Sequence, residues 1–291
     1  MAATALLGFC SPAGGGPAPT TPACGDGGKG LEAVGLVADG SLVCFATDRP
    51  GQARSLGQID GLGQESVVGI DHRSPFVDAN GVSNGVPAEG QLYALGSEGG
   101  VYSLTVGDDG VDATKTSQLD VALQGEAFGI DFNPTVDRLR IVSDAGQNLR
   151  ANVNTGVTVV DGPLNAAGAP VSGVVAAAYT NTDTDPATGT ALYDIDATLD
   201  RVLLQSPPND GGLVAVGNLG VDASSSVGFD LYSELEATAA GTTTTVDVHG
   251  FASLQVGGVS GFYSITPFSG AASLIGGFDV DVVDISLPLH Q

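Results

Sequence analysis

A short apolar segment ending in an acid recurs along this chain, and the repetition limits the folds open to it. The clear copies are Val67-Val68-Gly69-Ile70-Asp71, Ala127-Phe128-Gly129-Ile130-Asp131 and Ser226-Val227-Gly228-Phe229-Asp230. Weaker copies run from Val174 to Tyr179 and from Val280 to Asp284. Measured from Asp71 through Asp131, Tyr179, Asp230 and Asp284, the steps are 60, 48, 51 and 54 residues. A period near fifty indicates a modular fold whose units each form one supersecondary element.

Each unit reads as four short strands. In the second, Val67–Asp71 is followed by Gln91 to Leu95, a turn at Ser97-Glu98-Gly99-Gly100, Val101 to Leu104, a turn at Gly107 to Gly110, and a polar strand from Ala113 to Gln118. The first strand is the most apolar and the last the most polar. That gradient fits a meander whose first strand lies near an axis and whose last faces water. The third, fourth and fifth units repeat the scheme. The first unit, Leu31 to Ile59, lacks an apolar inner strand, and the C-terminus has one to spare at Asp279 to Leu287. The sequence therefore predicts an all-β, five-bladed β-propeller of four-stranded antiparallel blades, closed when the C-terminal strand completes the first blade. In this reading residues 1–30 are a hydrophobic start and tether, 31–287 a single domain and 288–291 a tail.

Composition agrees with strands and turns. The chain has 44 Gly, 15 Pro and no Trp among 291 residues. Its acids outnumber its bases, 33 to 9, and most are Asp, which favours turns, rather than Glu, which favours helices. A net charge of −24 argues against nucleic acid and against anionic lipid as partners. It suits solubility in salty surroundings or divalent cations such as calcium.

The N-terminus suggests export. Ala5-Leu6-Leu7-Gly8-Phe9 before Cys10 reads as the tail of a signal segment and as a candidate lipid-anchor site. Phe9 stands where such sites take a small residue. Residues 11–30 are rich in Gly, Pro and Thr and read as a tether. No segment is long and uncharged enough for a transmembrane span. In an extracytoplasmic chain Cys24 and Cys44 are candidates for a bridge, with Cys10 left over. The expected localisation is secreted or cell surface.

The run from Phe128-Gly129-Ile130-Asp131-Phe132-Asn133-Pro134 through Asp144-Ala145-Gly146-Gln147-Asn148-Leu149-Arg150 resembles the most distinctive stretch of the domain-of-unknown-function-4394 family. Gln91 to Ser97, Ala178 to Asn181 and Leu219 to Asp222 also match. The resemblance covers about residues 31–286 and departs at an insertion over 72–90 and at the end, Gln291. It implies an exported bacterial, propeller-like protein and brings no activity with it.

Three places could carry chemistry. The first is an acid ring of Asp71, Asp131, Asp230 and Asp284, with Tyr179 in the fourth position. Carboxylates converging on an axis either bond backbone N–H groups between units, bind a cation such as calcium, or catalyse hydrolysis as paired acids do in glycosidases. The second is the basic cluster of Arg138, Arg140 and Arg150. Arg138 and Arg140 share a strand face and are expected to pair with Asp137, Asp144 or the acid ring, or to hold an anion or sugar acid. The third is the set of connections at 72–90, 180–190 and 231–247, long loops on one face. Thr180 to Asp185 weakly resembles a calcium loop. His72 and His249 are placed at loop ends. No zinc spacing, nucleophile elbow or phosphate loop occurs. The sequence thus favours a non-catalytic binding or scaffold protein holding a protein, glycan or ion on its loop-rich face. A carboxylate-dependent hydrolase is the alternative.

Overall fold

The computed structural model describes Cys24, residues 29–108, 110–183, 188–239 and 242–289, and Gln291. The hydrophobic start and Cys10 lie outside the described residues, as does part of the Thr180–Asp185 segment. The fold is all-β, with two single 3-10 turns as its helical pieces among the described residues. The first unit comprises β1 (Glu32–Val37), β2 (Ser41–Ala46) and β3 (Arg54–Asp60). The second is β4 (Val67–Arg73), β5 (Gln91–Gly96), β6 (Gly100–Gly107) and β7 (Gly110–Gln118). The third is β8 (Phe128–Asn133), β9 (Arg138–Ser143), β10 (Asn148–Ala151) and β11 (Thr158–Val160). A small hairpin, β12 (Asn165–Ala166) and β13 (Ala169–Pro170), leads to β14 (Val174–Tyr179), β15 (Leu192–Asp196), β16 (Arg201–Gln205) and β17 (Leu213–Asn218). The fifth unit is β18 (Ala223–Ala237), β19 (Thr243–Val256), β20 (Val259–Ile265) and β21 (Ala272–Gly277), and β22 (Val282–Ser286) follows.

The spare strand pairs with the start of the chain. β22 runs antiparallel to β1, with Val34 opposite Ser286, Leu36 opposite Asp284 and Val37 opposite Val282. The apolar first strands contact one another in a circuit: β4 with β8, β8 with β14, β14 with β18, β18 with β22, and β22 with β4. Each pair of successive units encloses its own apolar cluster. Val34, Leu36, Ile70 and Leu92 lie between the first and second. Tyr93, Leu95, Ile130 and Ile141 lie between the second and third. Val142, Tyr179 and Leu203 lie between the third and fourth, and Val175, Ile195, Phe229 and Leu254 between the fourth and fifth. Phe45, Phe262, Val282 and Ile285 close the circuit between the fifth and first.

The recurring glycine explains how tightly the first strands approach. A Cβ on Gly129 would stand 2.5 Å from the backbone of Ala176 and Ala177, and one on Gly228 would stand 2.5 Å from that of Asp284 and Ile285. At Gly69 the neighbour is the Ile130 side chain, 2.9 Å away. Glycine is used here for space, since a strand without a side chain lets its neighbour come close.

Three expectations change. The first two units are not separate sheets. β3 and β7 pair in parallel through Ile59–Val111 and Asp60–Asp112, which makes an eight-stranded sheet in the order β22-β1-β2-β3-β7-β6-β5-β4. Ile59 and Val111 bury apolar side chains where the two outer strands meet, and Gly61 allows close approach, because a Cβ there would collide with the Ala113 carbonyl. Residues 231–247 are not mainly a loop, because β18 and β19 extend as a paired hairpin from Leu231–Gly250 to Ala237–Thr243. The β-branched run Thr242 to Val246 favours that extension. His72 and His249 accordingly lie within β4 and β19 rather than at loop ends.

Cys24 and Cys44 form a disulfide with Cα atoms 5.1 Å apart. No helix among the described residues is long and apolar enough to cross a membrane.

Candidate functional site

The acid ring is a set of ties between neighbouring units. Asp71 on β4 accepts the Phe132 N–H of β8 at 2.7 Å. Asp131 on β8 accepts the backbone N–H of Tyr179 on β14. Asp230 on β18 accepts the Leu287 N–H just beyond β22 at 2.7 Å. Asp284 on β22 accepts the Ile70 N–H of β4 at 2.8 Å. Between the fourth and fifth units, where no acid stands, the Asn181 N–H donates to Ser233 Oγ at 3.0 Å. Every step of the circuit thus has a side-chain acceptor for a backbone donor that regular pairing leaves unused. Ser286 and Ser233 are partners that the repeat pattern did not signal.

The acids are also gathered. One carboxylate oxygen each from Asp71, Asp131 and Asp230 lies within 4.8 Å of the others, and all three residues are buried. Burial pushes Asp71 well above the usual carboxylate range, with the charge of Asp230 adding to it. Burial does the same to Asp131, and Asp71 and Asp230 push it further. Burial takes Asp284 up to about 8 against the opposing N–H groups of Ile70 and Ile285. It takes Asp230 up to about 6 against those of Leu287 and Leu231. Like charges this close in a dry interior are relieved by holding protons.

A calcium ion takes six to eight oxygens, and the donor set here falls short. Three carboxylates converge, and both oxygens of Asp71 and of Asp230 already accept bonds: Asp71 from Phe132 N–H and from Ser286 Oγ at 3.1 Å, Asp230 from Leu287 N–H and Leu231 N–H. Acid–base chemistry is disfavoured by the same commitments. Half-buried His72 joins Ser286, its Nδ1 2.7 Å from Ser286 Oγ. Here the serine stands between the acid and the imidazole, whereas a nucleophilic triad needs the imidazole in the middle. Burial takes His72 down to about 3, so the ring is neutral. At the other end of the first strands a cavity of about 290 Å³ is lined by all five, through Val67, Phe128, Val175, Val227 and Val283, with Asp284 at its wall. Asp71, Asp131 and Asp230 do not line it.

The basic cluster divides. Arg140 is buried between the third and fourth units. It donates to Tyr179 Oη at 3.1 Å, Asn148 Oδ1 at 2.7 Å, Asp161 Oδ2 at 2.7 Å and Asn209 Oδ1 at 2.9 Å. Arg150 grips the same Asp161 with two bonds, at 2.6 and 2.9 Å. Burial pushes Asp161 up, but the two guanidinium groups outweigh it and hold the carboxyl below its ordinary value. The carboxylates of Asp137 and Asp144, the expected partners, are bonded by neither Arg138 nor Arg140. Asp137 is held by buried Arg73, at 2.7 and 2.5 Å, between the second and third units. Arg138 bonds the carbonyls of Val136 and Asp137. Asp161 escaped the sequence reading because it lies eleven residues beyond the basic cluster. Asp194 was also missed. It is fully buried with neither oxygen bonded among the described residues, and burial takes it up to about 8 against the pull of Arg140.

On the hairpin of β18 and β19, exposed Glu234, Asp247 and His249 stand together, the imidazole Nε2 3.4 Å from Glu234 and 3.9 Å from Asp247. Such exposed groups contribute little to stability.

Comparison with solved structures returns distant likenesses. A glutaminyl cyclase from Myxococcus xanthus is 14% identical, covering 75% of this chain and 78% of its own, with a TM-score of 0.44. A protein from Lactobacillus plantarum is 11% identical over 88% of this chain and 98% of its own, at 0.39. The designed Ika8 protein is 12% identical over 84% and 74%, at 0.33. Likenesses this weak carry no statement about function. No curated protein matches the chain. The family described as a domain of unknown function, DUF4394, matches residues 41–286, most of the chain, and the protein belongs to that family.

Proposed function

We propose that this protein is an exported, non-catalytic five-bladed β-propeller that binds a partner or glycan through its loop-rich face and serves as an extracellular or cell-surface scaffold. Residues 31–287 act as one domain, tethered through residues 1–30. The observation that carries this reading is the use made of the central acids, each of which ties one unit's backbone to the next. Residues so committed and so enclosed serve cohesion. Binding then falls to the periphery, where the 72–90 segment and the β18–β19 hairpin rise on one face. The Cys24–Cys44 bridge supports an oxidising compartment.

A glycan-array screen together with thermal melting, with and without millimolar calcium, tests the reading. Binding to a glycan or surface polymer without a calcium shift supports it. Hydrolysis of a glycoside that Asp131→Asn abolishes in a folded variant would replace it with the hydrolase reading.

A further inference from the structure

The third unit has the shortest link between its first and second strands, the stretch from Asn133 to Arg138, at one rim of the molecule. At that rim a pocket of about 290 Å³ is lined by Arg138, Arg150, Asn152, Thr155, Val157 and Val159. The surrounding charge runs against the rest of the molecule. Arg73, Arg138, Arg140 and Arg150 meet two aspartates, Asp137 and Asp161, in a chain whose net charge is −24. Arg73 offsets Asp137, and Arg140 and Arg150 share Asp161. These pairs leave two positive charges, which exposed Asp120 at the edge of the pocket reduces to one. Further acids stand beside this corner: Asp131 opposite Arg140 and Asp194 of the fourth unit, both buried and raised in pKa, and exposed Asp120, which accepts the Thr158 N–H at 2.9 Å.

Donors are also left over. Among the described residues Arg138 bonds through Nη1 alone, leaving Nε–H and the Nη2 hydrogens. Arg150 spends Nε and Nη2 on Asp161, leaving Nη1. Guanidinium groups with unspent donors recognise carboxylate oxygens with directional bonds. Asn152 and Thr155 add an amide and a hydroxyl suited to sugar hydroxyls. Val157 and Val159, 58% and 47% exposed, supply aliphatic walls against which the apolar face of a pyranose packs.

We infer that this pocket binds a carboxylated sugar, its carboxylate between Arg138 and Arg150 and its ring against Val157 and Val159. The inference rests on the reading that the loop-rich face is a binding face, and names the ligand class for one part of it. Saturation-transfer NMR at low ionic strength with sodium glucuronate, glucose and sodium sulfate as probes tests it. The variants are Arg138→Ala and Val157→Asp, the second placing a negative charge at an exposed position that folding does not need. Circular-dichroism melts confirm that both fold. Expected is millimolar binding of glucuronate, at least ~10-fold weaker in either variant and weakened by salt, with glucose not binding. Glucuronate failing to bind, or binding both variants as it does the parent, overturns the inference. Sulfate competing as well as glucuronate overturns the sugar part and leaves a bare oxyanion site. A glycan found on an array whose binding ignores both substitutions would leave the binding face standing and remove this pocket.

Discussion

Raising the pH from 5 to 8 should weaken this fold, and the central acids set the size of the effect. A carboxyl whose folded pKa is raised keeps a proton that the unfolded chain has already released. Its contribution is present in full below the unfolded pKa and disappears as pH climbs through the folded value. Asp284 is pushed from 3.8 up to about 8 and Asp230 up to about 6. Each proton is worth a factor of ten in the folding constant per pH unit. Over this range Asp284 alone removes roughly 4 kcal/mol and Asp230 roughly 1 kcal/mol more. Asp71 and Asp131 act in the same direction. His72, pushed down to about 3 by burial, acts against them: its unfolded form is charged at pH 5 and neutral at pH 8, which returns roughly 2 kcal/mol and leaves a net loss of roughly 3 kcal/mol from His72, Asp230 and Asp284. The carboxyls that are lowered instead, such as Glu65 and Asp161, exert their opposite effect at more acid pH. Urea unfolding followed by far-ultraviolet circular dichroism is the assay, since the chain has no Trp. Asp71→Asn provides the check. Its amide oxygen can accept the Phe132 N–H and its NH₂ can donate to Ser286 Oγ, so both contacts of Asp71 survive without the charge. The variant should match the parent at pH 5, equal or exceed it at pH 8, and show a shallower pH slope. Stability that rises between pH 5 and 8, or Asp71→Asn losing more at pH 8 than at pH 5, would refute the argument. It would mean that the acids work ionised, as they would around a cation.

Other expectations concern the packing between units. Gly129→Ala should cost about 1–3 kcal/mol or more, because its Cβ meets the β14 backbone. Gly189→Ala, with no atom nearby, should be near neutral in the same urea titration. Arg140→Met should cost about 3–5 kcal/mol by leaving buried partners of the guanidinium unpaired, and a loss under about 1 kcal/mol would argue against a latch between the third and fourth units. Reducing the Cys24–Cys44 bridge, whose ends are 20 residues apart, should remove roughly 3 kcal/mol and lower the melting temperature; an unchanged melt would deny it a structural role.

The strand scheme was legible because it rests on local rules. Alternation, glycine turns and the missing inner strand of the first unit pointed to the pairing of β22 with β1. Arg138 and Arg140 were correctly given one strand face, since period two requires it. What the sequence could not reveal depends on distances between units. The parallel contact of β3 with β7 is made by Ile59 and Val111, two apolar residues that also suit their own strands. Asp161 reaches Arg140 and Arg150 only after the chain turns past β11. Ser286 looks like an ordinary strand-end serine and Ser233 like a serine past the end of a strand until their neighbours are known. The 231–247 stretch misled because its Gly and Ala residues suggest a loop while its threonines extend a hairpin.

Hydrogen exchange read by mass spectrometry addresses the circuit of first strands and its fastening by β22. If β22 seals the circuit, peptides spanning residues 279–289 will exchange in step with those covering β4, β8 and β14, through opening of the whole fold. Rapid exchange of 279–289 while the other first strands stay protected would show the C-terminal strand to be a loose appendage and would contradict the account.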